Sequence, residues 1–60
     1  MSFRTVYTEV RKALEALGYD LDKHTYCVVV RPNLCPSQCE VQLDNKYFGV
    51  WDTNRKTFVD

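Results

Sequence analysis

The stretch from Phe3 to Leu17 constrains the fold more than any other part of the chain, because it is a single amphipathic stripe with no second one after it. Phe3, Val6, Val10, Leu14 and Leu17 recur at the three-and-four spacing of a helix, with Tyr7 and Ala13 at the edges. At 100° per residue these positions fall within an arc of roughly 120°, the width of a helix face turned toward a core. Arg4, Thr8, Arg11 and Glu15 fall opposite. Ser2 supplies an N-cap and Gly18 a stop just past the end, while Arg11 and Lys12 lie toward the negative end of the dipole. The pattern predicts one helix over about residues 3–17, with Leu14 in the middle of its buried face.

Beyond Gly18 the chain reads as strands. Tyr19 to His24 is a polar connector around Leu21, and Thr25 to Arg31 is a β-branched and aromatic run that Pro32 ends. Residues 32–39 carry Pro32, Asn33, Pro36 and Ser37 and form a loop. Residues 40–43 alternate as a half-buried strand, a turn at Asp44-Asn45-Lys46 leads into a strand over 47–51, and a polar turn over 52–56 leads into a last strand over 57–59. The fold class is therefore α+β: one N-terminal amphipathic helix packed on a three- to four-stranded antiparallel meander, α-β-β-β-β, in a single domain spanning residues 1–60. A chain of 60 residues buries only about 60% of its unfolded surface, so its stability is expected to be small.

One helix covers one face of a sheet, which makes the opposite face the informative one. With the first hairpin turning on Asn45 and Lys46, Leu43 opposes Phe48 and Val41 opposes Val50, and these four point together toward the helix. With the second turn over 53–56, Val50 opposes Val59 and Trp51 opposes Phe58. Tyr47, Trp51 and Phe58 then share the uncovered face, with Gly49 bare between two of them. Exposed apolar patches mark interaction sites, and Trp, Tyr and Arg dominate binding hot spots. The expected partner-binding residues are Tyr47, Trp51, Phe58 and Arg31, and the expected partner is another protein or a second copy forming a homodimer. A one-residue change in either turn would send the aromatics into the core instead, and the 32–39 loop with Leu34 could fold over the same face.

Other chemistries find less support. His24, Cys27, Cys35 and Cys39 are of the types zinc prefers, with two residues between the first pair and three between the second. Cys27, however, sits in an apolar strand, where a free cysteine is a small hydrophobe, and the 35–39 turn lacks glycine. Cys35 and Cys39 are spaced one residue wider than the thioredoxin-type motif and lack its βαβ setting. The only imidazole, His24, has no recognisable carboxylate to orient it, and so short a chain leaves little room for a cleft with supporting residues. No catalytic residue, metal or cofactor is expected, and the chain is read as non-enzymatic.

Nucleic-acid binding through stacking aromatics is the alternative, with Arg31, Lys46, Arg55 and Lys56 as flanking cations. Asp44, Asp52 and Asp60 interleave with them and the formal net charge is zero, so the clustered positive field that phosphate binding needs is missing. No run approaches a membrane span, the first residues lack the apolar segment of a signal peptide, and the cysteines are odd in number. A cytoplasmic protein with reduced thiols is expected. No motif carries a family resemblance.

Overall fold

The computed structural model describes residues 3–59; the expected cap at Ser2 lies outside them. Helix α1 spans Phe3–Ala16 and buries Val6, Val10 and Leu14, the centre of the stripe. The two ends of the stripe are less covered than the pattern implies, with Phe3 51% and Leu17 60% exposed. Gly18 stops the helix at φ 99°. Its N–H donates to the Glu15 carbonyl at 3.0 Å while the Tyr19 N–H reaches back to Leu14 at 3.1 Å, the paired closing bonds of a Schellman motif. Tyr19 packs against the core cluster that holds Leu14.

The sheet has four antiparallel strands in sequence order: β1 (Tyr26–Val29), β2 (Gln38–Leu43), β3 (Lys46–Asp52) and β4 (Thr57–Phe58). The α-β-β-β-β order is as the sequence implies, and the sheet is open. Strand β1 is shorter than its apolar run, since a turn in which the Leu34 N–H donates to the Arg31 carbonyl at 3.2 Å draws the chain away beyond Val30. Strand β2 starts earlier than expected, at Gln38, because β3 is long enough to pair with it as far as Asp52.

The first hairpin corrects the expected register. Its two turn residues are Asp44 and Asn45, at φ 54° and 65°, so that Leu43 faces Lys46. Two consecutive positive φ values define the type I′ turn, whose twist matches that of the strands it joins. Asp and Asn tolerate that region far better than the Asn-Lys pair of the expected turn. A bulge then inserts Phe48 into β3, and the register shifts between Val41 and Gln42. Val41 consequently opposes Gly49 rather than Val50, and Cys39 opposes Trp51. The second turn keeps its expected pairing, Trp51 with Phe58.

The net change of one position exchanges the faces of β3 beyond the bulge, while Tyr47, before it, stays on the outer face. Trp51 is buried at 3% exposure, among Val6, Val10, Leu14, Val28, Cys39 and Val41. Phe58 stacks edge-on against it with centroids 5.0 Å apart and against Phe48 at 5.2 Å. Phe58 packs over Gly49, its nearest ring carbon lying 3.5 Å from where a Cβ would stand. Full burial of each such aliphatic side chain contributes about 1.5–3 kcal/mol. Among the described residues no helix is long and apolar enough to cross a membrane.

Candidate binding cleft

The outer sheet face does not carry the expected aromatic triplet. Only Tyr47, 57% exposed, stands there, paired across the bulge with Gln42. Trp51 is core, and Phe58 is half-buried on the helix side beside it. Around Tyr47 the face is largely polar. Arg31 donates from Nε and Nη2 to the two carboxylate oxygens of Glu40, both at 3.3 Å, and Gln42 Nε2 donates to Glu40 at 2.7 Å. The Arg31 bonds, then that of Gln42, hold the Glu40 carboxyl below the usual carboxylate range.

Arg31 also lines a second surface, at the end of the sheet. Where Pro32 and Pro36 stop the ladder, the chain between β1 and β2 swings away from the sheet, since neither proline can donate to a neighbouring strand. The loop is anchored at its far end by Thr53, whose N–H and hydroxyl both donate to the Ser37 carbonyl, at 2.8 and 2.9 Å. Between this loop and the first turn of α1 an open cleft of about 290 Å³ remains. Phe3 and Val6 form one wall, Val30 and Arg31 the end of the sheet, and Leu34 and Cys35 the loop side. Phe3 at 51% and Val30 at 61% are among the most exposed large apolar side chains of the described residues. In the sequence Phe3 reads as core and Val30 as strand interior. The signal that could have separated them is their position at the very start of the stripe and just before Pro32.

The edge of β1 beside the cleft is closed by a side chain. The Val28 N–H, which points away from β2, donates to the Tyr7 hydroxyl at 3.1 Å, and Tyr7 in turn donates to Cys27 Sγ at 3.7 Å. A partner strand therefore meets an occupied donor at Val28.

The remaining chemistry-bearing residues are dispersed. His24 Nδ1 lies 2.6 Å from Asp44 Oδ2 at the opposite end of the molecule, beside the type I′ turn. The His24 bond and the Thr25 N–H, which donates to Oδ1 at 3.1 Å, lower the Asp44 pKa. Cys35 and Cys39 both line the cleft, and burial raises the Cys39 thiol pKa, which keeps it protonated. Cys27 lies on the outer face. His24 thus has no cysteine within its group, and among the described residues no three His, Cys, Asp or Glu side chains gather around one point.

Fold and site together define an open α-β-β-β-β unit with an apolar cleft at the N-terminal end of its helix. Comparison with known families, with curated proteins and with solved structures returns no match.

Proposed function

We propose that this chain is a small non-enzymatic protein-interaction module that docks its partner in the cleft between α1 and the 30–37 loop. The observation that carries this reading is the apolar lining left open at one end of the sheet, with Phe3 and Val30 more than half exposed. Patches of this kind on small proteins mark interaction sites. The cleft lies at the low end of ligand-pocket volumes, which suits one or two inserted side chains better than a whole cofactor. Arg31 remains in the binding surface, and Tyr47 stands outside it. A reducing, cytoplasmic setting fits three cysteines that are all unpaired.

The test is a photo-crosslinking residue placed at position 30, and as a control at position 47, in cells that make the protein. Discrete protein adducts at position 30 that disappear with Leu34→Asp, and that are absent at position 47, support the reading. Equal labelling at both positions, or none at position 30, overturns it.

A further inference from the structure

Two of the three cysteines line the cleft, and the third does not. Cys27 stands on the outer face opposite Gln42. Cys35 is an exposed thiol on the loop side, whereas Cys39 is buried at 7% exposure, opposite Trp51 in β2. Among the described residues neither cleft thiol has a hydrogen-bond partner.

The chain between them is a tight turn. The Gln38 N–H donates to the Cys35 carbonyl at 2.9 Å, with Pro36 in the first central position, where its fixed φ suits such a turn. A turn of this kind keeps its first and last Cα atoms within about 7 Å, and Cys39 directly follows the last. A disulfide needs Cα atoms about 4.4–6.8 Å apart. Ser37 is pinned by Thr53, so the movement that brings the thiols into contact falls on Cys35 and the loop before it, Leu34 included.

We infer that the cleft is gated by the redox state of this pair: a hydroperoxide converts Cys35 and Cys39 to a disulfide, which draws the loop wall carrying Leu34 toward Cys39 and narrows the apolar opening. The accessible Cys35 thiol reacts first. Its sulfur attacks a peroxide oxygen, the O–O bond breaks, an alcohol or water leaves, and Cys35 becomes a sulfenic acid. The Cys39 sulfur then attacks that of Cys35. The S–S bond forms, the S–O bond breaks, and the hydroxyl departs with the Cys39 proton as water. Two thiols have lost two electrons and two protons, and the peroxide has taken both. Burial keeps Cys39 protonated, so it is slow toward the oxidant itself. A dithiol reductant reverses the bond by exchange. In a reducing compartment such a disulfide is transient and serves sensing. The inference rests on the proposed role of the cleft and names what regulates it.

The experiment applies hydrogen peroxide to the folded chain and to two variants, Cys27→Ser and Cys35→Ser, both at exposed positions and each first checked for an unchanged melt. In Cys27→Ser both remaining thiols should be lost together, with the mass of two hydrogens and without a covalent dimer, and a dithiol should restore them. In Cys35→Ser no intramolecular bond should form. On oxidation the methyl resonances of Val30 and Leu34 should shift, while those of Leu43, at the first hairpin, hold still. Thiols of Cys27→Ser that remain free, that stop at sulfenic or sulfinic acid, or that pair only between molecules overturn the inference. A disulfide that leaves Val30 and Leu34 unmoved overturns it too. Those failures leave docking in the reduced cleft standing, because position-30 adducts read it separately. Adducts absent from the reduced protein remove the docking role whatever the thiols do.

Discussion

Trp51 shows how much one residue's placement decides. With its side chain in the core at 3% exposure and Phe58 edge-on against it, it cannot report on association. Its fluorescence is expected to be blue-shifted and independent of protein concentration. Trp51→Ala should behave as a large core truncation, costing about 3–5 kcal/mol, and so unfold a chain this small rather than dissociate it. A red shift on dilution, or a folded Trp51→Ala variant of reduced mass, would return Trp51 to the surface. The indole also carries a cost, because Nε1 is buried without a hydrogen-bond partner among the described residues, a loss on the order of 1–3 kcal/mol. Tyr47, by contrast, is exposed on the outer face as the sequence implies, in polar company.

The elements owe their precision to backbone conformations at a few positions. Gly18 at φ 99° closes α1, and no atom stands near its missing Cβ, so Gly18→Ala is destabilising through backbone strain alone, by about 1 kcal/mol. Gly49 has no such φ, and an added methyl would meet the Phe58 ring at 3.5 Å, an ordinary contact. Gly49→Ala should therefore leave the melting temperature unchanged or raise it, whereas Gly18→Ala lowers it; paired thermal melts decide both. These positions also mark what was legible beforehand. The helix and its stop at Gly18 follow from periodicity and a lone glycine, and the Trp51–Phe58 pairing follows from the polar turn after Asp52. The first hairpin did not read correctly, because three consecutive turn-formers, Asp44, Asn45 and Lys46, allow two placements one residue apart. The bulge at Phe48 then added a shift that alternation alone cannot show. The cleft was hidden for a related reason: Phe3 and Val30 have core-like chemistry, and only the three-dimensional divergence at Pro32 exposes them.

At the scale of the whole molecule, three hydrogen-bonded carboxylates set its response to acid. Asp44 holds His24 and the Thr25 N–H, Glu40 holds Arg31 and Gln42, and Asp52 Oδ1 accepts the Arg55 N–H at 3.0 Å and the Asn54 N–H at 2.8 Å. These bonds, chiefly that from Arg55 at Asp52, lower all three pKa values in the folded state. Their stabilisation is complete above the unfolded carboxylate values of about 4 and is lost as pH falls through the lower folded ones. Melts should thus be flat just above that range and fall steeply below it, with a shallower fall in Asp52→Asn; a melting temperature that rises on acidification contradicts the assignment. The Tyr7 hydroxyl over the Val28 N–H has a consequence of another kind. Tyr26-Cys27-Val28-Val29-Val30 is uncharged, proline-free and strongly β-forming, the composition of segments that seed amyloid. Proteins usually guard such an edge with a charge or a proline in the strand itself. Here the guard is borrowed from the helix, so protection against fibrils depends on α1 staying docked. Tyr7→Phe should keep the fold yet bind thioflavin and form fibrils sooner under mild agitation, and any condition that frays α1 should release the same hazard in the parent chain.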